Sequence, residues 1–158
     1  MFTKMNDEEL STNWENQGHI DTVRKLLKRF ACELECRGIG HDRSKLEHPE
    51  VQVFAQYISK LEDSTYGSKE YDQFLGEMRQ ALSHHHARNS HHPEHFDQGV
   101  DDMTLVDLVE MFCDWVAATK RHKDGDIFNS IEINTKRFGI SDQLQKIFLN
   151  TIREYPRW

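Results

Sequence analysis

The chain has 158 residues, with 20 Lys and Arg against 27 Asp and Glu and 37% apolar residues. That length supports one domain with one core and is too short to promise two, and a formal net charge of −7 excludes wholesale neutralisation of a nucleic-acid backbone. Three cysteines, Cys32, Cys36 and Cys113, contain no CxxC pair and there is neither an apolar leader nor a run of about eighteen apolar residues, so the expectation is a soluble cytoplasmic protein with reduced thiols.

Taken in chain order, Ile20, Val23, Leu26, Leu27, Phe30, Ala31 and Leu34 recur at three- and four-residue steps and predict an amphipathic helix from about Asn16 to Cys36, stopped by Gly38 and Gly40. Cys32 and Cys36 share a face of it and read as small buried residues. A second helix starts near Pro49 and carries Val51, Val53, Phe54, Tyr57, Ile58 and Leu61. After a turn at Ser64 to Ser68, a third runs from about Lys69 to His86. Asn89 to Asp102 has no period and reads as a long loop, with room for one helical turn after Pro93. Thr104 and Asp107 form an N-cap signature for a fourth helix ending near His122. Two more helices follow, about Asp126 to Phe138 and Asp142 to Tyr155, the latter capped by Ser141. No strand alternation competes, so the fold class is all-α: a single domain over residues 1–158, core about 16–123, with the helices of 124–155 packed on it as part of a bundle of about six. The apolar faces of the last two helices and the terminal Tyr155-Pro-Arg-Trp158 leave a monomer or a small homo-oligomer open.

The chemistry is concentrated in His41-Asp42 and in Ser83-His-His-His-Ala-Arg-Asn-Ser-His-His-Pro-Glu-His95, which holds six of the ten histidines. Imidazole and carboxylate are the ligand types that hold a divalent metal without thiolate. Consecutive helical residues differ by about 100° around the axis, so one or two of His84, His85 and His86 face inward. The turn after Asn89 brings back one of His91 and His92, leaving the other for substrate or for supporting contacts. Asp114 stands in an apolar run, where an ionised carboxylate needs a partner. His19, near the start of the first helix, takes its interest from the rest.

His19, His41-Asp42 and Asp114 resemble the ordered H…HD…D signature of the HD-domain metal-dependent phosphohydrolases. The resemblance covers about Gly18 to Thr119 and implies a helical bundle in which these four residues bind one metal. Branches with further histidines before the last Asp hold two, and this chain resembles them. His-Asp-Arg-Ser-Lys45 is similar to the HDxGK form of cyclic-dinucleotide phosphodiesterases and inositol oxygenases, although Ser44 replaces the glycine and no GYP signature follows. The Asn89-x-His-His-Pro-Glu-His-Phe96 stretch resembles a small group of phage and bacterial HD-like proteins. The resemblance implies one or two divalent ions (Mn, Fe, Zn, Co or Mg), the first on His19, His41, Asp42 and Asp114. Asp42 bridges to a second on His85 and His92. Lys45 is expected to contact a phosphate oxygen or protonate the leaving alkoxide, and Arg43, Arg88 and Asn89 to touch substrate phosphate. The expected reaction is hydrolysis of a small anionic phosphoester, a nucleotide, in the cytoplasm (the host's, if phage-encoded). The alternatives are a dinuclear-iron oxygenase on the same scaffold and a non-enzymatic, metal-stabilised binding module.

Overall fold

Asn6 opens the first helix by a reciprocal cap: its Oδ1 accepts the Glu9 N–H at 2.9 Å while Glu9 Oε2 accepts the Asn6 N–H at 2.8 Å. The computed structural model describes residues 6–65, 68–121 and 125–155, of Glu62 the backbone only, and no strand occurs among them. The chain divides into two units, Met1–Ile39 and Gly40–Trp158. The first is essentially α1 (Asp7–Gly40), with Asp7, Glu8 and Glu9 in its first turn, where the helix dipole favours them. It begins earlier than the apolar periodicity indicates because polar turns extend it, and Gly38 does not end it. None of its residues is buried, so Cys32 and Cys36 are exposed rather than packed, as is Cys113 on a later helix.

The second unit begins with a 3-10 turn, Arg43–Leu46, followed by α2 (Glu50–Asp63), α3 (Lys69–Glu77) and α4 (Arg79–Arg88). The sequence predicts one helix where α3 and α4 stand. The break falls at Met78, which leaves helical dihedrals (φ −86°, ψ 2°) and buries its side chain, two residues after a helix-weakening Gly76. α4 packs against α2. The loop after it contains two 3-10 turns, Pro93–His95 and Gly99–Asp102.

α5 (Leu105–Thr119) starts on a capping box in which Thr104 accepts the Asp107 N–H and Asp107 accepts the Thr104 N–H. It ends before His122, which lies outside the described residues. α6 (Ile127–Phe138) is capped by Asp126 and α7 (Asp142–Glu154) by Ser141. Gly139, at φ 62°, ends α6 in the left-handed conformation that lets Ile140 N–H reach back to Thr135 O at 3.0 Å. These three helices enclose the core: Met111, Phe112, Trp115 and Val116 from α5, Ile131 from α6, Ile140, and Phe148 and Ile152 from α7. Phe112 stacks on Phe148 with centroids 5.0 Å apart, and Trp115 meets Phe148 edge-on at 5.7 Å. α5 is therefore fixed on one side by apolar packing, and its other side carries Glu110 and Asp114. Pro156 to Trp158 lie outside the described residues. No helix is long and apolar enough to cross a membrane among the described residues.

Candidate metal centre

Four segments of the second unit converge. The first is the turn after α1. Asp42 adopts φ 55°, the left-handed region that Asp tolerates at a cost of roughly 1 kcal/mol, and Lys45 N–H returns to Asp42 O at 2.9 Å. That reversal puts His41 and Asp42 on the same pocket and brings Lys45 Nζ to 2.6 Å from Asp42 Oδ2. The second segment is the first turn of α2, where Glu50 is fully buried.

α4 supplies the third. The three consecutive histidines diverge as helical geometry requires: His85 is 1% exposed, His84 turns to Glu50 (Nδ1 to Oε1, 2.7 Å), and His86 stacks beside His92. Asn89 then closes the helix end, donating to the His85 carbonyl at 2.7 Å and to Ser44 Oγ at 2.9 Å. Ser90 donates to the buried Asp107 at 2.6 Å, tying the loop to the start of α5 and steadying His91 and His92 beside the pocket. The fourth is α5 itself, with Glu110 and Asp114 one turn apart.

Two carboxylates set the orientation of the imidazoles. Glu50 Oε2 lies 2.9 Å from His85 Nδ1 and accepts from Ser44 Oγ at 2.9 Å. Glu110 Oε1 lies 2.8 Å from His41 Nδ1 and 3.1 Å from His91 Nδ1. An ionised carboxylate only accepts, so each Nδ1 carries its proton and each Nε2 faces the pocket, the arrangement that carboxylate partners impose on metal-binding histidines. Inside, His85 Nε2 is 3.1 Å and His91 Nε2 3.5 Å from Asp42 Oδ1, and His85 and His92 meet Nε2 to Nε2 at 2.9 Å. Asp42 Oδ1 and His91 Nε2 are buried atoms with no hydrogen-bond partner among the described residues: His85 is close to Oδ1 but misaligned for a hydrogen bond. Buried polar atoms are almost always satisfied, and two facing ones mark a place for a cation.

Electrostatics set His41 apart from His92. Asp114 and Glu110, opposed by burial but helped by Asp42, raise His41 to about 10. Burial would raise Asp42, but the adjoining His85 and the Lys45 ammonium hold its carboxyl well below the usual range. Burial lowers His92 to about 2, reinforced by His91, His85 and His86, so it is a neutral donor. Burial also opposes ionisation of Glu50, yet His84, Ser44 and His85 lower it overall.

Ligand atoms gather in four groups among the described residues; two share Asp42, namely Asp42, His85, His91 and His92, and His41, Asp42 and Asp114, and the others are His41, His91 and Glu110, and His86, His92 and Glu94. Each could hold a metal ion, and the two that share Asp42 combine its carboxylate with imidazole. Of the residues singled out by sequence, His41, Asp42, His85, His92 and Asp114 stand here. His19 is exposed on α1, in the other unit, and belongs to none of the ligand groups found among the described residues. Lys45 is paired with Asp42. Arg43 and Arg88 are exposed, whereas Asn89 is spent on Ser44 and the α4 end. His91, Glu110, Glu50 and Ser44 are the additions. Glu110 carries a signal, since it lies i−4 from Asp114 on one helix face; Glu50 carries none, because an acidic residue in a first helical turn is ordinarily a surface residue.

Fold and pocket together define an all-helical protein with a buried histidine and carboxylate cluster of metal-ligand type. The chain belongs to DUF5662, a family of unknown function, whose model matches residues 9–154. No curated protein and no solved structure matches it.

Proposed function

We propose that this chain is a metal-dependent phosphohydrolase of the HD-domain type, acting in the cytoplasm on a small anionic phosphoester, with nucleotides as the substrate class. The observation that carries the metal half of this reading is the pair of unpartnered buried atoms, Asp42 Oδ1 and His91 Nε2, 3.5 Å apart and flanked by Nε2 of His85 and His92. Asp42, His85, His91 and His92 would hold one divalent ion, and His41, Asp42 and Asp114 are the ligand set for a second. A bound divalent ion supplies a water whose pKa falls to about 7 and positive charge for the phosphoryl oxygens.

The protein's own groups do the rest. Glu50 and Glu110 keep the imidazoles in one tautomer and orientation, so no reorganisation is needed during reaction. His85 and His91 form the closed back of the pocket at 1% exposure, whereas His41, Asp42, Lys45 and Asp114 are 21–28% exposed and form the rim by which substrate approaches. That rim carries two carboxylates, which repel a phosphate until a cation reverses the local field. Lys45 is the rim group able to turn from Asp42 to a phosphate oxygen or to give a proton to the leaving alkoxide.

The test is a hydrolysis screen of nucleotides with protein loaded separately with Mn, Zn and Fe, run with and without oxygen. We expect metal-dependent release of phosphate or a nucleoside product that Asp42→Asn abolishes while the chain stays helical. Iron-loaded protein that consumes oxygen and hydrolyses nothing overturns this reading in favour of an oxygenase.

A further inference from the structure

The two oxygens of Asp42 meet opposite circumstances. Oδ1 is buried, has no hydrogen-bond partner among the described residues, and faces Nε2 of His85 at 3.1 Å and of His91 at 3.5 Å. Among the described residues, the groups standing against Oδ1 are these two imidazoles, with no lysine or arginine. Oδ2 is paired with the Lys45 ammonium at 2.6 Å and lies 3.5 Å from His41 Nε2, which is itself 3.6 Å from Asp114. Lys45 is held there twice over: the 3-10 turn returns its N–H to the Asp42 carbonyl, and its Nζ sits 5.2 Å from the centre of the Phe54 ring on α2. An ammonium and a divalent ion cannot share one carboxylate oxygen in a half-buried pocket without strong repulsion.

We propose that Lys45 itself fills the second cation position: the chain takes one divalent ion on the Oδ1 side of Asp42, and admits another on the Oδ2 side only when Lys45 leaves. The lysine stem is flexible and its head a compact point charge, so it can withdraw toward an anionic ligand without disturbing the turn. Resting occupancy is therefore one metal per chain, and the second ligand set, complete in residues, is closed by an internal cation. The inference rests on the metal-centre reading but not on phosphoester hydrolysis.

Equilibrium dialysis of the full chain against buffered Zn²⁺, with bound zinc counted by mass spectrometry, tests it. The wild type should bind one zinc and Lys45→Arg, which keeps the charge, one. Lys45→Met should bind two, the second at least tenfold tighter than in the wild type. Asp114→Asn in the Lys45→Met background should return the count to one. Two zinc ions in the wild type at the same free concentration, or one in Lys45→Met, overturn the proposal and leave the metal centre standing. Two ions persisting in the Asp114→Asn double variant assign the extra ion to outer histidines and also overturn it. No zinc in the wild type removes the metal centre as well. Loss of all zinc in Lys45→Met shows that the lysine builds the site rather than closing it, and refutes the idea; circular dichroism on the same samples confirms that each variant is helical.

Discussion

Replacing Glu110 with glutamine removes a charge and little volume, and it strikes both ligand sets at once. One oxygen of this carboxylate faces Nδ1 of His41 at 2.8 Å and of His91 at 3.1 Å, and the side chain is only 9% exposed. A neutral amide oxygen accepts less strongly than a carboxylate, by about 1 kcal/mol per hydrogen bond; the His91 bond alone bears on an ion held by Asp42, His85, His91 and His92, so zinc affinity there should fall by about 1 kcal/mol, or roughly fivefold. Losses for partners of metal-binding histidines run to about 10–100-fold, so about fivefold is the least effect expected. The assay is a competition titration of zinc against a chromophoric chelator at pH 7, with far-ultraviolet circular dichroism to verify the fold. Glu132→Gln serves as the control, since Glu132 is an exposed partner of Lys136 on α6 and the change should leave affinity alone. Wild-type affinity in Glu110→Gln would refute the claim that this carboxylate orients the imidazoles.

In Lys45→Met, where a second ion reaches His41, metal uptake at pH 7 should release about one proton more than in the wild type, because that ring, raised to about 10, holds two protons until a metal displaces one; calorimetry in buffers of different ionisation enthalpy reads the number. The same shift has a sign for the metal-free chain. Its His41 contribution to stability is present in full below about 6.5, the ordinary value, and is lost as pH rises toward about 10, so its melting temperature should fall across that window more than that of His41→Gln. Phe148→Ala, which empties the space between Phe112 and Trp115, should cost about 3–5 kcal/mol in urea unfolding. Gly139→Ala, forcing a side chain into φ 62°, should cost about 1 kcal/mol in the same measurement.

The helices of the second unit are legible in the sequence because their ends are marked by side chains that cap them, Thr104 with Asp107, Asp126 and Ser141, and their apolar stripes fill one core. The break at Met78 is not, since the apolar period runs through it and only tertiary packing favours turning the chain there. The start of α1 was marked by Asn6 and Glu9, a capping pair outside the apolar period. The ligand types and their main carriers, His41, Asp42, His85, His92 and Asp114, stand out as residues misplaced for a surface or a core. His91 could not be told from His92 without the loop geometry that Ser90 and Asp107 impose. Glu50 joins the site through contacts more than thirty residues distant in sequence, and no local pattern carries that information.

The most direct test of the metal centre is an anomalous diffraction measurement on crystals of zinc-loaded protein. A peak is predicted between Asp42 Oδ1 and the Nε2 atoms of His85, His91 and His92, at roughly 2.0–2.2 Å from each. Full-occupancy zinc elsewhere, with no anomalous density among those four atoms, would contradict the account.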